Sequence, residues 1–269
     1  DVERSRGLGD VYKRQLLLSV DHDGQKVVRG VVDHKGRPVN LDRVADDYIV
    51  IIQFGAILAV LVVFFGRLRQ LALGLLRLDP AALALAWSIA LAFLPAAVLG
   101  YLCKEYIPFS VEIVALALIT GGLVILIAER YLPKHAAEPD EVLRMSWKQA
   151  LVVGFCQCLA LIPGTSRSLA TILGGRWAGL SAAAATEFSF LVGLAILSAA
   201  SLYKLYSLGP AVSQVYPLGS AGLGLLIAAV AAFLSVKWMV GFIMRRGLVP
   251  FAWYRLALGA AILGWLAMR

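Results

Sequence analysis

Seven apolar runs, at about 48–66, 81–103, 111–130, 147–163, 183–206, 217–243 and 250–268, decide what this chain can fold into. Six are long enough, or nearly so, to cross a hydrocarbon core of ~30 Å as helices. The stretch 147–178 is the exception, because it breaks at Pro163-Gly164 and again at Gly174-Gly175. The runs are continuous rather than alternating, which excludes an outer-membrane barrel. A 60% hydrophobic composition and a mean hydropathy of +0.81 lie well outside the soluble range, where roughly 45–50% apolar is usual. The sequence therefore predicts an all-α polytopic membrane protein.

Net charge is +8, and its distribution gives orientation. Arg67, Arg69 and Arg77 follow the first run, and Arg130, Lys134, Arg144 and Lys148 follow the third. Arg245 and Arg246 separate the last two, whereas Lys104 after the second run is offset by Glu105 and Glu112. With basic loops in the cytoplasm, the first three runs alternate, and counting back from Arg245 makes 147–178 start and finish on one side. The simplest structure doing so is a re-entrant helical hairpin with its turn at Pro163–Ser166, where irregular backbone is tolerated only inside protein or a wet cavity. Three spans, a hairpin and three spans is the order of an inverted-topology repeat whose first hairpin is missing. Nothing interleaves basic and aromatic residues, so no nucleic-acid partner is expected.

The amino-terminal residues read differently. Asp1–Gln15 lacks an initiator methionine and a signal pattern, and reads as a non-native leader of adapter type. Residues 16–46 are polar, with turn signals at Asp23-Gly24 and Lys35-Gly36, and predict a small hairpin or a disordered segment. The membrane domain is expected from residue 47 to 269.

Within the hairpin, Gln157 to Ser168 places a hydroxyl-rich turn and one arginine in an apolar run. A charged side chain at bilayer depth costs at least ~2.5–3.5 kcal/mol on insertion scales, so Arg167 needs a partner or a task. Pro163-Gly164 ends one helix and Thr165 or Ser166 caps the next. New helix N–H groups, the hydroxyls of Thr165, Ser166 and Ser168, and the Arg167 guanidinium are expected to converge as an anion site that suits phosphate.

Competing readings stay open for several residues. Arg167 pairs with Glu187 on the next helix, or it clamps phosphate. Thr171 lies one turn beyond on the same face, and back-bonding to its own helix is at least as good a reading as a site role. Gln157, like Gln53, is an interhelical donor by default. Tyr254 and Arg255 read as headgroup anchors. Cys103, Cys156 and Cys158 are small apolar fillers, and His22, His34 and His135 lack metal-ligand spacing.

The segment Phe155–Ser168, with Ala170-Thr171-Ile172, Gly174-Gly175 and Glu187–Phe190, resembles the second signature region of bacterial undecaprenyl-diphosphate phosphatases, the bacitracin-resistance family. Ile52–Val60 and Pro250–Arg255 extend the resemblance, which covers roughly residue 47 to the C-terminus. It implies two re-entrant hairpins meeting in an inverted-repeat bundle of the bacterial inner membrane. It also implies hydrolysis of undecaprenyl diphosphate to undecaprenyl phosphate, which recycles the carrier for peptidoglycan synthesis. A divalent cation, Mg2+ or Ca2+, is implied as cofactor; undecaprenyl diphosphate and membrane lipid are the expected partners, and a homodimer is one option. Arg167 and Ser166 fall on the family's phosphate-binding, catalytic pair. Gly164, Thr165, Ser168 and Thr171 are expected at the phosphate, and Gln157 and Glu187 in support.

Two departures accompany it. Leu169 stands where a glycine is usual, and the first signature, ExxxEFxPxSSxGH, is absent. Metal ligands and the attacking group are expected in that absent signature, so the chain as written is expected to be truncated and inactive. The alternatives are a lipid-phosphate transporter or a non-catalytic paralogue.

Overall fold

The computed structural model describes residues 18–20, 26–32, 38–103, 110–133, 135–208 and 218–268. The proposed leader at 1–15, His22, His34 and the loop charges Lys104, Glu105 and Lys134 lie outside them. Three short strands, β1 (Leu18–Val20), β2 (Lys26–Val32) and β3 (Pro38–Asn40), precede a set of helices. These are α1 (Leu41–Val63), α2 (Phe65–Leu76), α3 (Pro80–Cys103), α4 (Val111–Tyr131), α5 (Trp147–Cys158), α6 (Arg167–Trp177), α7 (Ala182–Leu208), α8 (Leu218–Arg246) and α9 (Val249–Ala267). Short 3-10 turns occupy Glu141–Arg144 and Leu159–Leu161.

Among the described residues, five helices are long and apolar enough to cross a membrane, and the α1–α2 pair, bent by 80°, makes a sixth span if counted as one. From α1 onward the described residues are thus those of an all-α polytopic membrane protein, preceded by the three short strands. The first apolar run does not continue straight into Arg67 as its hydropathy suggests. The chain turns at Phe64, whose ring stacks on Phe190 at 5.3 Å.

The chain divides into two compact units, Asp1–Ala59 with Leu197–Leu234 and Val60–Ile196 with Ser235–Arg269. In the first, the strands pair antiparallel in the order β1-β2-β3, with Leu18 opposite Val28 and Val27 opposite Asn40. Here α1 and α8 touch backbone to backbone at Gly55, where a Cβ would sit 2.5 Å from the Leu225 carbonyl oxygen. Such close approach through small residues is how helices associate where lipid offers no hydrophobic drive.

The second unit holds the core, with Leu85, Ile125, Val153, Ile172, Phe188 and Val192 among its buried side chains. Here α9 lies along α4 and α3 along α5. Helices α5 and α6 are the broken segment of the sequence. A twelve-residue helix rises only ~18 Å, short of a ~30 Å core. Ser146 starts α5 with a capping box, its Oγ accepting from Gln149 N while Gln149 Oε1 accepts from Ser146 N at 2.9 Å. The same Gln149 donates through Nε2 to the Ala178 carbonyl at the end of α6, 3.1 Å away. One side chain thus ties the start of the segment to its finish, as the re-entrant hairpin expected from the sequence requires.

Carboxylate–arginine pairs hold the hairpin's open end. Arg176, 5% exposed, donates to Glu129 at 2.6 Å, and Glu129 also accepts from Leu248 N at the start of α9. Glu141 accepts from the Ser181 amide and hydroxyl, fixing the start of α7.

Candidate anion site at the hairpin turn

The turn forms because Pro163-Gly164 cannot continue α5. Gly164 adopts φ +91°, and a Cβ there would meet the Val114 carbonyl oxygen at 2.7 Å, so both its backbone and its space call for glycine. Ser166 then caps α6, its Oγ accepting from Leu169 N at 3.3 Å. The free N–H groups of the first α6 turn carry the positive end of the helix dipole. Of the two proposed caps it is Ser166, not Thr165, that serves.

The side chains after the turn fan out instead of converging as the sequence suggested. Thr165 borders an apolar cavity of about 460 Å³ between α4 and the hairpin, which extends to Tyr131 and Trp177. Ser166 and Ser168 border a smaller one of about 180 Å³, closed by α8 and α9 and by Arg255. Arg167 faces α7, where its guanidinium lies against Gly193 so closely that a Cβ there would be 2.6 Å from Nη2. Its Nη1 is buried with no hydrogen-bond partner.

Two expectations need correction. Glu187 is not the partner of Arg167. It accepts from Arg67 Nε at 2.5 Å, and Arg67 also reaches Asp140 at 2.7 Å. The bend at Phe64 brings Arg67 back to the start of α7, which a straight first span would not allow. Thr171 takes the back-bonding alternative, its Oγ1 donating to the Arg167 carbonyl at 2.9 Å and lying 2.6 Å from Ser189 Oγ. Arg255 is no headgroup anchor: it is 8% exposed and donates from Nη2 to the carbonyls of Ala117 (2.8 Å) and Gly164 (3.1 Å). A lone arginine six residues inside an apolar helix was the sequence signal for that inward position. Gln157 behaves as read, donating to the Ala92 carbonyl at 3.4 Å, with its Oε1 buried and unpartnered. The three cysteines are free thiols.

The divalent cation implied by the resemblance does not fit these residues. The turn presents two guanidinium groups, hydroxyls and one amide, and no cluster of three metal-ligating side chains occurs among the described residues. The charged side chains at the turn, Arg167 and Arg255, are cations.

Fold and turn together define a polytopic membrane protein with a broken helical hairpin whose turn carries Arg167 and the N-terminus of α6. Residues 32–261 match the family model of the bacitracin resistance protein BacA. The chain belongs to that family. It is 40% identical to an undecaprenyl-diphosphatase of Novosphingobium aromaticivorans over 228 residues, covering 82% of this chain and 83% of the relative. A Chromobacterium violaceum protein called undecaprenyl-diphosphatase 1 is 44% identical over 222 residues, 81% of each chain. A third, an undecaprenyl-diphosphatase of Cupriavidus necator, is 40% identical over 281 aligned residues, covering 95% and 92%.

Proposed function

We propose that this protein hydrolyses undecaprenyl diphosphate in the bacterial membrane to undecaprenyl phosphate and inorganic phosphate. The observation that carries the reading is Arg167. It is a guanidinium with a buried, unpartnered Nη1, next to a free helix N-terminus at the turn of a membrane hairpin. Arg67 and Arg176, by contrast, are paired with carboxylates. Donors fixed before the substrate arrives stabilise charge on a transferred phosphoryl group without reorganisation. The isoprenoid tail lies in the apolar cavity between α4 and the hairpin, which reaches the turn at Thr165. Family members called undecaprenyl-diphosphatases support the substrate.

Water is the second reactant: one P–O bond of the diphosphate breaks, and inorganic phosphate leaves. Arg167 and the helix start bind and orient the headgroup. The attacking group and its base belong to the family's ExxxE signature, which these 269 residues do not contain. The 269 residues alone are therefore proposed to bind the headgroup but turn it over poorly. A divalent cation belongs to this reading through the resemblance alone, and no step is routed through it.

The test is binding of farnesyl diphosphate, a short soluble analogue, to the purified protein in detergent. Arg167→Ala is expected to weaken it ~10- to 100-fold, since hydrogen bonds to charged groups contribute about 1.5–3 kcal/mol. Undiminished affinity in the variant would remove Arg167 from the site. Phosphate release by this chain at the rate of the Cupriavidus necator relative would show that the ExxxE signature is dispensable.

A further inference from the structure

Helix α2 wears both apolar surface and uncompensated charge on its outer face. None of its residues is fully buried, although Leu68 and Leu71 pack partly against the core, and Arg67 is held by Glu187 and Asp140. On the other face Phe65 is 64%, Leu73 40% and Leu76 82% exposed. At ~3.6 residues per turn these three share one side with Arg69, and Arg77 closes its edge. Arg69 and Arg77 are both exposed, and neither is in an ion pair among the described residues. They stand about two turns, ~12 Å, apart along the axis. Asp79, the nearest acid in sequence, is turned to the start of α3, where its Oδ2 accepts from Ala82 N at 3.3 Å. Between them Leu78 adopts φ +54°, a left-handed conformation that turns in water give to glycine or asparagine, and its side chain is 72% exposed.

The chain bends by 80° between α1 and α2. With a span tilted by the usual ~20° from the bilayer normal, α2 lies within about 30° of the membrane plane. Its three arginines put it at the cytoplasmic face, and the cytoplasmic leaflet is the one rich in anionic lipid. We infer that α2 is an interfacial helix that binds the headgroups of anionic phospholipids in that leaflet. Phe65, Leu73, Leu76 and Leu78 enter the acyl boundary, while Arg69 and Arg77 reach back past them to the phosphates. Charge complementarity selects this occupant. A second copy of the chain docked two-fold on the same face would set its arginines against these, and a zwitterionic lipid would leave them without net countercharge. Neither arginine lines a cavity at the hairpin turn, so this contact is independent of the proposed function.

The experiment titrates the purified full chain in detergent with phosphatidylglycerol or phosphatidylcholine and reads bound lipid by native mass spectrometry. The wild-type chain is expected to hold phosphatidylglycerol ~30-fold more tightly, about fivefold for each basic residue near an anionic surface. Arg69→Gln with Arg77→Gln should abolish that preference, whereas Arg69→Lys with Arg77→Lys keeps the charge and most of the preference. Arg144→Gln is the control, because Arg144 is 69% exposed but paired with Glu138; it should leave the preference within about twofold. Leu78→Asn, which suits the left-handed turn, should weaken both lipids alike. Thermal unfolding checks that each variant folds. Equal retention of the two lipids by the wild-type chain, or an undiminished preference in the double glutamine variant, would overturn the assignment. A wild-type dimer lost in that variant while lipid retention is unchanged would give the face to a second copy and overturn it as well.

Discussion

Gly193→Ala moves the Arg167 guanidinium without removing its charge. A Cβ at position 193 would lie 2.6 Å from Nη2 and 3.0 Å from both Cζ and Nη1, where ordinary contact begins near 3.4 Å. The guanidinium must therefore retreat by about 0.8 Å, a displacement of the order that can cost ~10²-fold when a reacting group is misplaced. For binding, one charge-assisted hydrogen bond is worth about 1.5–3 kcal/mol, so a ~10- to 100-fold loss of farnesyl diphosphate affinity is expected. Stability should change little. Replacing glycine within a helix gains about 1 kcal/mol of propensity, against about 1–3 kcal/mol for overpacking, at the low end because the displaced atoms end a flexible side chain. The assay is calorimetric titration alongside thermal unfolding, with Gly241→Ala as control, since a Cβ there only reaches ordinary contact with Arg245. Adding Gly193→Ala to Arg167→Ala should cost no further affinity, because the two act through one group. A folded Gly193→Ala protein with wild-type affinity, or full additivity in the double variant, refutes the placement of Arg167 at the ligand.

Two further outcomes follow from the arginine pairs. Glu187→Gln removes the carboxylate from Arg67, whose side chain is 16% exposed against 24% for Glu187; it should cost about 1–3 kcal/mol of stability and leave farnesyl diphosphate affinity within about twofold, by thermal unfolding and calorimetry. Glu129→Gln strands the buried Arg176 and should destabilise by about 3–5 kcal/mol, whereas Glu129→Leu with Arg176→Met recovers most of that loss in the same unfolding assay.

The hairpin was legible because Pro163 and Gly164 leave the helix no way to continue and because basic loops fix which ends share a side. Ser166 was legible as one of two caps, and only the φ of Gly164 and the bond from Leu169 N decide between them. The bend at Phe64 was not legible. No proline or glycine sits at that residue, and a ring stacked on Phe190, 126 positions away, is a tertiary fact. The partner of Glu187 went with it, since Arg67 reaches α7 only around that bend. Arg255 was misread because hydropathy reports how apolar a helix is, not which face a single cation takes. Its inward position depends on carbonyls at Ala117 and Gly164 that come from two other elements.

Charge balance explains why the turn suits an anion better than an internal ion pair would. A cation at bilayer depth costs at least ~2.5–3.5 kcal/mol even after the surroundings relax. At the open end of the hairpin that cost is met by carboxylates: Glu129 for Arg176, and Glu187 with Asp140 for Arg67. At the turn, Arg255 is met by backbone carbonyls and Arg167 lies against Gly193 of α7, neither with a carboxylate among the described residues. Carbonyls soften the desolvation of Arg255 but carry no net charge, and the α6 amides repel a cation. A carboxylate placed there would settle the charge permanently and occupy the donors a substrate needs. Under the proposed function, guanidinium groups left without carboxylates make the ligand-free turn less favourable and the diphosphate, which brings negative charge on both phosphoryl groups, correspondingly more welcome.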